Sequence, residues 1–128
     1  GLDRPFPPEN KDLWHSFLTN DRVVFVSEFP FGTGAASLNL RKRNKLIVAF
    51  AQGVLVSQSS VTGGAMNAYR FALEQKKPVS TFVDDGTEDT GGNKAIAADP
   101  KSRGVTFTLS IADKQAYQQW LRTLSSST

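Results

Sequence analysis

Gly53-Val54-Leu55-Val56, the polar loop Ser57-Gln58-Ser59-Ser60-Val61-Thr62-Gly63-Gly64, a helical pattern over residues 65–75 and a second apolar run from Pro78-Val79 together decide the fold. The order is strand, glycine-bearing loop, helix, strand, the form of a βαβ unit. In such a unit the helix starts at the carboxyl end of the strand, where unbonded backbone N–H groups attract anions. Just upstream lies the basic run Arg41-Lys42-Arg43-Asn44-Lys45. Cations beside a βαβ loop point to a phosphate as the anion.

Outward from that unit the chain keeps alternating. Leu13, Trp14, Phe17 and Leu18 fall at helical spacing after Glu9 or Asn10 as cap, and predict a helix over residues 11–19. Val23-Val24-Phe25-Val26 is almost continuously apolar, which suits a strand covered on both faces. A long loop with Pro30, Gly32 and Gly34 follows, then a helix from Asn39 or Leu40 to Gln52 with Leu40, Ile47, Val48 and Phe50 facing inward. Residues 78–83 read as a strand, 84–92 as an acidic glycine-containing loop and 93–98 as a short helix. Residues 105–109 read as a last strand, and 113–124 as a helix carrying Ala116, Tyr117, Trp120, Leu121 and Leu124 on one side. The expected fold is α/β: a Rossmann-like parallel sheet of about four strands with flanking helices. Five or six strands are more usual, so the reading takes residues 1–124 as a partial domain and residues 125–128 as a flexible tail.

The bulk properties narrow the function. At 128 residues the chain is one domain's worth, and 39% hydrophobic with 21% charged residues suits an ordinary globular protein. A net charge of +3 permits nucleic-acid binding without requiring it. The absence of cysteine excludes disulfides, thiolate metal sites and cysteine nucleophiles. No apolar run approaches the ~20 residues that cross a bilayer, and no signal-peptide pattern is present, so the expectation is a cytoplasmic protein without membrane contact.

Six short motifs in order resemble the DNA-processing protein A (DprA, also called Smf) family along most of the chain. Gly1-Leu2-Asp3 with Pro7-Pro8-Glu9-Asn10 and Leu13 is similar to "GlD…YP.eN..L", and Ser27-Glu28-Phe29-Pro30 with Gly32-Thr33 to "SE.P.G". Arg43-Asn44-Lys45-Leu46-Ile47 resembles "RNR.I", and Thr62-Gly63-Gly64-Ala65 resembles "SGS.". Ala72-Leu73-Glu74-Gln75 is similar to "A.EQ", and Gly92-Asn93-Lys94 to "G.N.LI". Two departures stand out: Leu40-Arg41 occupies the place of a Phe-Pro pair, and the "GSR" and "SG.A.GID" segments have no counterpart. The resemblance is to the carboxyl-terminal portion of the family's Rossmann-like domain. It implies single-stranded DNA binding during DNA uptake, transformation and recombination, delivery of the strand to a RecA-type recombinase, and a homodimer.

The residues themselves leave alternatives open. Arg41, Lys42, Arg43 and Lys45 either hold phosphates or form a solvated helix face, unfavourable beside a helix amino terminus unless an anion is near. Asn44 with the Thr62, Gly63 and Gly64 backbone either positions one phosphate or simply turns the chain. Phe29 and Phe31 either stack bases or plug their loop. His15 reads as a surface or capping residue, and Asp84, Asp85, Glu88 and Asp89 as a solvated loop without calcium-loop spacing. The expected function is thus a single-stranded DNA-binding module with no cofactor, metal or catalytic residue. The alternative is a Rossmann-like nucleotide-binding protein, either a nucleotide sensor or a phosphoribohydrolase-like enzyme. The "PGG.GT..E" motif of such hydrolases places a glutamate in the loop, whereas residues 61–67 offer no carboxylate.

Overall fold

The computed structural model of the chain describes residues 1–108 and 112–126. It divides into two compact units, Gly1–Arg43 and Asn44–Thr128. The first carries a 3-10 turn, Pro8–Asn10, and helix α1, Lys11–Leu18. Helix α2, Ser37–Phe50, begins in the first unit and ends in the second. The second then runs β1 (Val54–Val56), α3 (Ala65–Glu74), β2 (Val79–Phe82), α4 (Gly91–Ala98), β3 (Arg103–Phe107) and α5 (Ala112–Ser125).

The βαβ reading holds. All three strands are parallel in the order β1-β2-β3, with Val54, Leu55 and Val56 opposite Val79, Ser80 and Thr81. Thr81 Oγ1 adds a buried bond to the Val56 carbonyl, 2.9 Å, across the same pair. The core packs Val48 of α2, Val56, Met66, Tyr69 and Ala72 of α3, Val79 and Ile96 of α4. Met66, Tyr69 and Ala72 recur every third residue, which puts them on one helix face. The Tyr69 hydroxyl leaves this core to meet the Asp99 carboxylate. Burial first, then that carboxylate, pushes the phenol up to about 12. On β3, Phe107 meets Tyr117 and Trp120 of α5 edge-on, with ring centroids 5.8 and 6.0 Å apart. Such pairs contribute about 0.5–1.5 kcal/mol each beyond their area.

Three expectations change. Residues 23–26 form no strand: an extended segment needs a neighbour for its N–H and C=O groups, and no strand lies in its unit among the described residues. Val24 is 84% exposed and Val26 also exposed, while Phe25 packs against Trp14 of α1 with centroids 4.1 Å apart and the rings tilted by 48°. The sheet therefore has three strands among the described residues. Helix α2 starts two or three residues earlier than expected, and only Val48 of its four expected inward residues is buried. Leu40 is half-buried, and Ile47 and Phe50 are exposed. The last strand starts at Arg103, two residues early, and Leu109 lies outside the described residues, as do residues 127–128 of the expected tail.

Candidate nucleic-acid interface

The loop between β1 and α3 is shaped from below. Asn93, 1% exposed on α4, accepts the Ser59 N–H through Oδ1 at 3.0 Å. Its amide donates to the carbonyls of Ser57 (3.0 Å) and Phe82 (3.1 Å). One side chain thus joins the carboxyl ends of β1 and β2. Gly92 N–H bonds Ser59 O at 2.8 Å, so close that a Cβ at Gly92 would lie 2.7 Å from that oxygen. Ser59 is buried, and its Oγ donates to Ser60 O at 2.9 Å.

On this base the chain turns through Gly63 N–H to Ser60 O, 3.0 Å, and enters α3. Met66 and Asn67 N–H bond back to Gly63 and Gly64 carbonyls. The N–H groups of Gly64 and Ala65 find no partner among the described residues. The first turn carries no side-chain cap and no acid, so the positive end of the helix dipole is left uncompensated. Thr62 and Gly64 are exposed, Gly63 half-buried. The loop can therefore offer backbone N–H donors to an anion, as the βαβ reading requires.

The basic run sits in the middle of α2, not at its start. It begins at the fifth residue of the helix, so the expected clash with the helix dipole falls away. A helix turns 100° per residue, which places Arg41, Lys42 and Lys45 within one sector of about 100° and Arg43 beyond it. All four cations are exposed, and Asn44 is half-buried. Arg41, Lys42 and Arg43 belong to the first unit, Asn44 and Lys45 to the second.

Phe31 and Phe29 part company. In the first unit Asp3 takes the Gly32 N–H on both carboxylate oxygens, 2.9 Å each, with Gly32 at φ +86°. That bond holds the carboxyl of Asp3 below the usual carboxylate range. It joins two motifs that the sequence showed 29 residues apart, and leaves Phe31 79% exposed at the loop tip. Phe29 is half-buried, its N–H on Ser27 Oγ at 3.1 Å.

At the carboxyl ends of the strands lies a cleft of about 500 Å³, lined among others by Ser57, Phe82, Asp85, Thr90 and Asn93. Asp85 Oδ1 accepts from Thr87 N–H (2.9 Å), Thr87 Oγ1 (2.6 Å) and Thr90 Oγ1 (2.6 Å). These threonine bonds hold its carboxyl down to about 2. The acidic loop is thus tied by its own threonines, which sequence reading missed. Since the folded value lies below the unfolded one, the loop's tie is complete above about pH 4 and is lost as pH falls toward 2. An NMR titration of the Asp85 carboxyl should give a midpoint near 2; a midpoint near the ordinary 3.8 would mean that the threonine ties do not exist in solution.

The sequence profile described as DNA recombination-mediator protein A matches residues 1–109. Protein Smf of Escherichia coli (strain K12) is 33% identical over 79 residues, 62% of this chain and 21% of that protein. DNA processing protein DprA of Streptococcus pneumoniae is 28% identical over 92 residues, 70% of this chain and 32% of that one. The chain thus spans about a fifth to a third of these relatives' length. Among solved structures, DNA processing protein A from Helicobacter pylori, described for its single-stranded DNA binding mode, aligns with a TM-score of 0.56. It shows 20% identity over 73% of this chain and 43% of that one. That likeness supports the Rossmann-like fold.

Proposed function

Because this chain belongs to the DNA recombination-mediator protein A family, we propose that it binds single-stranded DNA by its phosphates, as a binding module and not an enzyme. The observation that carries this reading is the uncapped start of α3, whose Gly64 and Ala65 N–H groups lack partners among the described residues in the loop that Asn93 braces. In the second unit Thr62, Gly63, Gly64 and Asn44 position one phosphate and Lys45 neutralises another; in the first unit Arg41, Lys42 and Arg43 hold phosphates of their own. Phe31, exposed, and Phe29 stack bases. Contacts of this kind fix register without reading sequence. Hand-over to a RecA-type recombinase, a homodimeric state, a part in transformation and a cytoplasmic location belong to the same proposal; among the described residues no helix is long and apolar enough to cross a membrane.

Fluorescence anisotropy of a labelled oligothymidylate across a salt series tests it. Binding should weaken steeply with salt. Arg43→Ala/Lys45→Ala should bind about tenfold more weakly at low salt and flatten the log–log slope by about 1.4, at roughly 0.7 for each phosphate left without its cation. A folded double variant with the parent's affinity and slope would remove these cations from the interface. The cleft at the carboxyl ends favours one rival, a mononucleotide site. Displacement of the oligonucleotide by a mononucleotide at micromolar concentration would select that rival.

A further inference from the structure

At the opposite, amino-terminal end of the strands, a hollow of about 660 Å³ lies between the end of α2, the α3–β2 turn and α5. Phe50, Ala51, Pro78 and Leu124 supply its apolar lining, and Phe50 is 73% exposed. Lys76, Lys77 and Arg103 also line it, and Lys76 and Arg103 continue into an adjoining hollow with Lys101. Among the described residues no carboxylate lines either hollow. Three cations, Lys76, Lys77 and Arg103, therefore stand round the apolar floor with no carboxylate in its lining, and Lys101 of the adjoining hollow lies beside the Asp99 carboxylate.

The backbone adds a second observation. Helix α3 ends in a Schellman motif: Lys77 N–H bonds Ala72 O at 2.8 Å and Lys76 N–H bonds Leu73 O at 3.1 Å. The residue at that corner is left-handed, a place where glycine is the default. Here it is Lys76, at φ 56°. Arg103 is left-handed as well, at φ 52°, and its guanidinium bonds the Lys76 carbonyl. Two cations occupy backbone positions that glycine fills at less strain, and both face the same hollow. Strain retained in this way points to a function for the side chains.

We propose that this hollow docks an acidic peptide segment of a partner protein, an apolar side chain seated against Phe50 and Leu124 and its carboxylates on Lys76 and Lys101. A nucleic-acid strand fits less well. The Lys77 ammonium is spent on the Val48 and Ala49 carbonyls, 2.7 Å each, and Arg103 is partly spent on Lys76. What is left suits one or two carboxylates next to an apolar group, not a run of phosphates. The proposal uses none of the residues of the DNA reading, although Gln75 in the hollow's lining donates to the Lys45 carbonyl at 3.3 Å.

The test uses the whole chain and a fluorescein-labelled peptide, Asp-Glu-Asp-Leu-Phe-Asp-Glu-Leu, in low salt. Saturable binding should fall at least tenfold in Lys76→Asn/Lys101→Gln, while oligothymidylate binding stays within twofold of the parent. Asparagine tolerates the left-handed corner, so the variant keeps its fold, which circular dichroism checks. A second variant, Phe50→Ser, should weaken the peptide without changing any charge. Absence of peptide binding, binding indifferent to these substitutions, or loss of oligothymidylate binding in the lysine variant would each overturn the proposal; the last would assign the hollow to nucleic acid.

Discussion

Gly104→Ala should cost the domain at least about 3 kcal/mol, a large share of the roughly 5–15 kcal/mol that a domain this size holds. Val79 pairs with Arg103 but Thr81 pairs with Thr106, so β3 carries one residue more than β2 between these pairs. The surplus makes a bulge at Gly104, just after the left-handed Arg103, and Ser80 Oγ takes up the Val105 N–H at 2.8 Å. A Cβ on Gly104 would lie 2.7 Å from Ser80 N and closer still to the Val79 carbonyl. These are backbone atoms of the central strand, whose Val79, Ser80 and Thr81 are all buried, so no rotamer change relieves the clash. Gly64→Ala is the matched control: its Cβ meets nothing within 4 Å, and its φ of −59° is already helical. That substitution should leave stability unchanged or raise it by about 0.4–1 kcal/mol, through the unfolded chain. Urea unfolding followed by circular dichroism compares them. If Gly104→Ala lost under about 1 kcal/mol, the bulge would have to be looser than its register implies.

The bulge also marks where sequence reading stops. Residues 53–79 disclosed the βαβ unit because glycine, apolar run and helical period agree there, each set by local physics. Residues 23–26 misled because continuous apolarity does not say what a segment packs on: Phe25 leans on Trp14 instead of pairing in a sheet, and Val24 and Val26 stay exposed. In α2 the basic run was legible as charge, but its place in the helix depended on a start at Ser37 that the sequence pattern did not disclose. Ile47 and Phe50 have the right character for a core and lie exposed, since burial is decided by what packs opposite and not by the side chain itself. Glycines at 32 and 104 were visible as letters. Their reasons, the Asp3 carboxylate on one and the Val79 backbone on the other, lie far away along the chain.

Asn93 was legible only as a member of a short motif, yet removing it should be the second most costly change. A polar residue three before the buried Ile96 shares its inward face, which was the available signal. Asn93→Ala should lose about 1–3 kcal/mol, because the buried Ser59 N–H loses its acceptor, while the Ser57 and Phe82 carbonyls at the cleft lose their donor to water. The loss should also be local. If the Asn93-braced loop holds a phosphate, oligothymidylate affinity will fall further than the unfolded fraction explains, while the acidic peptide at the other end of the sheet binds as before. Asn93→Asp separates bracing from bulk. The introduced carboxylate keeps the acceptor for Ser59 but faces two carbonyl oxygens, so its charged form is disfavoured and its proton held to higher pH. That variant should accordingly gain stability as pH is lowered from about 7 toward 5, opposite in sign to the acid sensitivity of the Asp85 loop. Thermal midpoints of parent, Asn93→Ala and Asn93→Asp at both ends of that range decide it. If Asn93→Asp followed Asn93→Ala at both pH values, the side chain would be filling space, and the two carbonyls would not need its protons.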